Sequence, residues 1–173
     1  MNKIPGTIFK TFENICNKNP AASFLISPSR GANDLKEISY KDTLEKANGI
    51  ANIFLDKQYG SNIRVATLLG STPEHYILKL ALNKIGISVV PINPDYLPDE
   101  TSFLLEDSMA TVAICSELFL SQLEKAVNLK GISVPIVTYE EIDSLPRSQT
   151  ISRGVQIEGS TEASLLYTSG TTG

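Results

Sequence analysis

Apolar positions along the chain switch repeatedly between a helical and a strand period, the alternation expected of a mostly parallel sheet with helices on its faces. Between 40 and about 58, Leu44, Ala47, Ala51, Phe54 and Leu55 recur at helical spacing. Ser39 with Asp42 supplies a capping-box start, so an amphipathic surface helix is expected there. The short run Ile63-Arg64-Val65-Ala66-Thr67-Leu68-Leu69 is rich in β-branched residues and predicts a buried strand. Thr72-Pro73-Glu74 then places an N-cap, an N1 proline and a first-turn acid in the right order for a helix from Pro73 to about Ile85. Gly86 ends it, and Ile87-Ser88-Val89-Val90-Pro91-Ile92 predicts the strand that closes a β-α-β unit.

The alternation continues with a helix from Pro98 to about Asp107, a strand over 111–115, a helix from Glu117 to about Leu129 and a strand over 134–138. From 144 to 161 the chain is polar, Gly/Ser-rich and without period, which predicts a surface connection. Ala163-Ser164-Leu165-Leu166-Tyr167 reads as a last strand, feeding a terminal run of glycines and hydroxyl residues. The fold expected is therefore α/β and three-layered, a mostly parallel sheet flanked by helices.

Composition changes this picture little. The chain has 173 residues, 42% hydrophobic and 20% charged, with a net charge of −4. That balance excludes disordered, collagenous and disulfide-scaffold classes, and its sign argues against a nucleic-acid or anionic-membrane surface. Cys16 and Cys115 belong to no Cys/His cluster and predict buried thiols in a reducing, cytoplasmic location. No window approaches a membrane span, and no apolar signal region follows Lys3, so neither signal nor anchor is expected.

The candidate chemistry lies at the end of the last strand. In Thr168-Ser169-Gly170-Thr171-Thr172-Gly173, two glycines allow close backbone approach to a ligand, and four hydroxyls add neutral donors with no carboxylate to repel an anion. Composition alone suits a surface turn equally well. The strand in front favours a phosphate loop, because ligands of open α/β sheets bind beyond the carboxyl ends of strands. Other candidates are weaker. His75 stands alone and predicts a structural or surface role. Gly154-Val155-Gln156-Ile157-Glu158-Gly159-Ser160 has Walker A glycine spacing, but serine occupies the lysine position, so it is taken as a decoy. Asp99, Glu100 and Asp107 suit helix-end positions and are assigned no chemistry.

Tyr167-Thr168-Ser169-Gly170-Thr171-Thr172-Gly173 resembles the opening of the signature loop of the adenylate-forming enzymes: acyl-CoA synthetases, peptide-synthetase adenylation domains and luciferases. In that family the loop continues through one residue into Pro-Lys-Gly. Ser39-Tyr40, Arg64-Val65-Ala66, Thr72-Pro73-Glu74 and Lys84-Ile85-Gly86 through Val89-Val90-Pro91-Ile92-Asn93-Pro94 fall in the family's order. Ser61-Asn62 replaces the usual Gly-Asp and Gly70-Ser71 the usual Pro-Asn. The resemblance implies that residues 1–173 are the N-terminal part of an adenylation domain, without the C-terminal domain. It implies an AMP-forming carboxylic acid–CoA ligase of the fatty-acid-metabolism type. With ATP and Mg2+, a carboxylate attacks the α-phosphate to give acyl-adenylate and pyrophosphate, and coenzyme A then takes the acyl group. Thr168, Ser169, Gly170, Thr171, Thr172 and Gly173 would bind the β- and γ-phosphates; no catalytic or metal-binding residue is assigned. The family's loop lysine, acidic ligands and second lysine lie downstream of the motif, so the 173 residues alone are expected to be inert; an apolar face meant for the rest of the fold is expected to make them self-associate. Two alternatives stay open: loading of a carrier-protein thiol, and a non-catalytic α/β binding module.

Overall fold

The computed structural model describes residues 6–28, 35–146 and 155–168. At its centre is a four-stranded parallel sheet in the order β4 (Ser88–Pro91), β3 (Arg64–Leu68), β5 (Val112–Cys115), β6 (Ile136–Thr138). The register pairs Val65 with Val89 on one side of β3 and with Val112 on the other. β3 is thus central and buried on both faces, which its near-continuous apolar text requires.

Strand alternation divides the core into two layers. Val65, Val89, Val112 and Ile114 pack on one face against α2 (Tyr40–Asp56) and α3 (Pro73–Lys84), through Ile50, Phe54, Leu78 and Ala81. Ala66, Leu68, Ala113 and Cys115 pack on the other against α4 (Pro98–Asp107) and α5 (Leu120–Lys130), through Leu104, Leu105 and Leu123. The three-layer expectation is met. The helix starts follow their caps: the Ser39 hydroxyl accepts from the Asp42 N–H at 3.1 Å and donates to its carboxylate at 2.7 Å. Glu100 accepts from the Leu97 N–H at 2.7 Å. Gly86 leaves α3 at φ 79°, a left-handed stop open to glycine.

Three elements are additional to the expectation. α1 (Ile8–Lys18) buries Phe9, Phe12 and Cys16; an antiparallel hairpin pairs β1 (Ser23–Pro28) with β2 (Leu35–Ser39); and α6 (Tyr139–Ser144) follows β6. Lys84 is buried where α1, α2 and α3 meet, its Nζ donating to Asn48 Oδ1 at 2.6 Å and lying 5.4 Å from the Phe9 ring. Burial there pushes its ammonium pKa down. Two expectations are corrected. The helix expected from Glu117 begins as a 3-10 turn over Glu117–Phe119, with α5 starting only at Leu120. The strand expected over 163–167 is a single parallel bridge, Ser164 to Val89. Among the described residues only Val89 pairs with it through backbone bonds, and while Tyr167 packs against the α4 and α5 layer, Leu166 is 65% exposed.

Candidate functional site

The carboxyl ends of β3 and β4 open into a cleft of about 500 Å3 lined by Thr67, Ser71, His75, Tyr76, Asn93 and Tyr167, among others. Its floor is built before any ligand arrives. The Ile92 N–H donates to the Thr67 carbonyl at 2.8 Å, continuing the ladder beyond β4. Asn93 Oδ1 accepts from the Asp95 N–H at 3.1 Å, an Asx turn that bends the chain. Gln122 reaches over from α5 and donates through Nε2 to the carbonyls of Pro94 at 2.9 Å and Tyr96 at 3.0 Å. Gly70 turns at φ 64° on the opposite wall. Between these walls the Thr67 hydroxyl is buried without a hydrogen-bond partner. An orphaned polar atom costs free energy unless something pairs with it, so this hydroxyl suits a polar ligand in the cleft. His75 stands half-buried in the first turn of α3, where burial lowers its pKa and favours the neutral ring.

The segment that enters this cleft runs along the free edge of β4. Val89 N–H donates to the Ala163 carbonyl at 3.2 Å and Leu165 N–H to the Val89 carbonyl at 3.1 Å. Side chains from three elements add to these bonds. Arg64, at the start of β3, forks onto Glu162, Nε to Oε1 at 2.8 Å and Nη2 to Oε2 at 2.9 Å, while Nη1 donates to the Ser108 carbonyl at 3.2 Å. Arg64 beside Glu162 holds that carboxyl down at about 2. Asn83, near the end of α3, donates through Nδ2 to the Ala163 carbonyl at 2.8 Å. The Tyr167 hydroxyl donates to Asp107 Oδ2 at 2.6 Å, and partial burial together with this carboxylate pushes the phenol up to about 12.

Of the six residues predicted to bind phosphate, Thr168 is described, exposed and directly beyond Tyr167 at the cleft; Ser169, Gly170, Thr171, Thr172 and Gly173 lie outside the described residues. Gly159 is explained by packing, since a Cβ there would sit 2.5 Å from the Gly6 carbonyl oxygen, and the Walker-like spacing needs no phosphate. Gly154 of that spacing lies outside the described residues. Glu100 caps α4 as its spacing suggested, but Asp107 also anchors Tyr167, a role its sequence position does not signal. Cys16 and Cys115 are buried free thiols, the latter pushed up to about 12 by burial, and so unreactive. Among the described residues no three His, Cys, Asp or Glu side chains are grouped to hold a metal, and no helix is long and apolar enough to cross a membrane.

Residues 12–173 match the family model described as AMP-binding enzyme. The chain belongs to that family. Among its curated relatives in the adenylate-forming group, tyrocidine synthase 2 of Brevibacillus parabrevis is 29% identical over 167 residues, covering 96% of this chain and 4% of that protein. The 4-chlorobenzoate–CoA ligase of an Arthrobacter species is 27% identical over 179 residues, covering 96% and 31%. The chain therefore spans well under half the length of these relatives. In fold it is similar to the Klebsiella oxytoca NpsA N-terminal subdomain, with TM-score 0.81, 22% identity, and coverage of 98% of this chain and 41% of that one. It is equally similar to the N-terminal domain of FACL13 from Mycobacterium tuberculosis, with TM-score 0.82, 23% identity, and coverage of 97% and 42%. This member of the AMP-binding enzyme family has the fold of an adenylate-forming N-terminal subdomain.

Proposed function

We propose that residues 1–173 supply the phosphate-binding approach of an acid–thiol ligase, the N-terminal part of an adenylation domain. In this reading a carboxylate oxygen attacks the α-phosphorus of ATP, the bond to the β-phosphate breaks and pyrophosphate leaves; a thiol then attacks the acyl carbon and AMP leaves. The chain's own residues bind and orient. Ser169 to Gly173 hold the β- and γ-phosphates with backbone N–H groups and hydroxyls, and Thr168 opens the loop at the cleft mouth, a positioning and electrostatic role. The cleft volume and the orphaned Thr67 hydroxyl fit a polar ligand of nucleotide type. Mg2+ would accompany ATP; its ligands are not assigned among the described residues.

The observation that carries the reading is the delivery of Tyr167, the residue before the hydroxyl and glycine run, to the cleft at the carboxyl ends of β3 and β4 in a chain that belongs to the AMP-binding family. The acceptor thiol is that of coenzyme A in the first form of the proposal, which the likeness to 4-chlorobenzoate–CoA ligase supports, and that of a carrier protein in the second, which the likeness to peptide synthetases supports equally. The test is pyrophosphate exchange over a panel of carboxylic acids by the complete enzyme of which these residues are proposed to be the N-terminal part, compared with its Thr171→Ala variant; the 173 residues alone are expected to give none. Exchange with one acid, reduced in the variant, is expected. Adding coenzyme A or a phosphopantetheinylated carrier then identifies the thiol by which one accepts the acyl group. Absence of exchange with every acid would favour a non-catalytic binding module.

A further inference from the structure

We infer that Arg64 and Glu162 form a latch that sets the register of the segment entering the phosphate loop, and thereby positions the nucleotide without touching it; this rests on the proposed function above. The need for a latch follows from how little else holds that register. The segment has one bridge and two backbone hydrogen bonds to β4. A slip of one residue along a strand moves the chain about 3.3 Å and turns every side chain to the other face. A shift of about 1 Å already carries a phosphate-binding hydrogen bond out of reach, which weakens nucleotide binding. Backbone bonds at a sheet edge are alike from residue to residue and do not oppose such a slip. A guanidinium fork does, because both of its N–H bonds align with one carboxylate only in one position. Arg64 is itself fixed at the first residue of the central strand and tied to the Ser108 carbonyl, so the register it imposes is referred to the sheet. Asn83 at Ala163 and Asp107 at Tyr167 take up the same register further along.

An ordinary surface ion pair would use the same contacts, and the two roles separate by what is lost when the pair is removed. Exposed pairs add little global stability; the Glu162 side chain is 44% exposed. The test places Arg64→Gln, Arg64→Lys and Glu162→Gln in the complete enzyme of which these residues are proposed to be the N-terminal part, and compares them with the unaltered protein by amide exchange, thermal melting and the ATP dependence of pyrophosphate exchange. Exchange at the Val89 and Leu165 amides is expected to speed up about fivefold, the scale of a local opening governed by one such pair. Melting should shift by less than about 2 °C. The KM for ATP should rise severalfold with kcat nearly unchanged, and Arg64→Lys, which keeps the charge but not the fork, should behave like Arg64→Gln. Unaltered amide exchange in all three variants overturns the latch; faster exchange with an unaltered ATP KM overturns its role in positioning. If the unaltered protein exchanges pyrophosphate with no acid, the proposed function fails and the nucleotide half of this inference with it, while the amide data alone decide the latch.

Discussion

The two edges of β4 are held in opposite ways. Toward the interior it pairs with β3 over four residue positions, and the strand residues from Val65 to Leu68 are almost wholly buried. On its free edge it meets the 163–168 segment through one bridge, with Arg64, Asn83 and Asp107 supplying what the ladder does not. The interior edge is fixed by burial along a continuous ladder; the free edge is fixed by a few directional polar contacts, each weak and specific in position. In the proposed function the segment places a phosphate-binding run at the cleft, and those few directional contacts are what set its position.

Substitutions should separate the edges sharply. Leu78→Ala, at a wholly buried site on α3, is expected to lower stability by about 2–5 kcal/mol in denaturant melts. Leu166→Ala, on the exposed segment, should stay within about 0.5 kcal/mol; a large loss there would show that the segment is packed as the interior is. Gly86→Ala couples the two regions. Its backbone is left-handed, and the new methyl would lie 2.8 Å from Ile157 Cδ1 and 2.9 Å from Ser61 Cβ. A cost of about 1–3 kcal/mol is expected by the same measurement, and a negligible cost would mean that Ile157 is not seated there.

Smaller effects sharpen the account of the free edge. Tyr167→Phe removes the bond to Asp107 and should cost about 1 kcal/mol or less. Followed by phenolate absorbance, Tyr167 should ionise near 12, and Asp107→Asn should bring it back toward the ordinary 10. The smallest effect is at acid pH. Because Arg64 lowers the Glu162 carboxyl from 4.5 to about 2 in the folded chain, the pair's contribution is complete above about 4.5 and is lost as pH falls toward 2. A carboxyl titration by NMR that finds Glu162 ionising near its ordinary value would contradict the pairing.

Much of the fold is legible in the sequence because its elements obey local rules. Ser39 with Asp42, Thr72 with Pro73, and Gly86 mark helix ends that the structure keeps, and the β-branched runs at 63–69 and 87–92 become β3 and β4. The unread elements carry signals too: Phe9, Phe12 and Cys16 share a helical face behind the Thr7 cap, and Thr138 with Glu141 is a capping box before the six residues of α6. The site is less legible. The glycine and hydroxyl pattern suits a surface turn as well as a phosphate loop until the apolar run before it and the family resemblance are added, whereas the Arg64 and Glu162 partnership spans 98 positions and arises only when β3 and the free edge of β4 are brought together. Asp107 likewise reads as a helix-end acid, and its partner Tyr167 lies 60 positions away.

The central claim is that the segment delivers a phosphate-binding run to the carboxyl end of the sheet. Backbone amide shifts followed through an ATP titration test it most directly. Changes should concentrate at Tyr167 to Gly173 and at the cleft residues Thr67, Ser71 and Asn93, and be absent from Asn62, Met109 and Thr111 around the start of β3. Changes centred on those last residues, or on 155–160 alone, would contradict it.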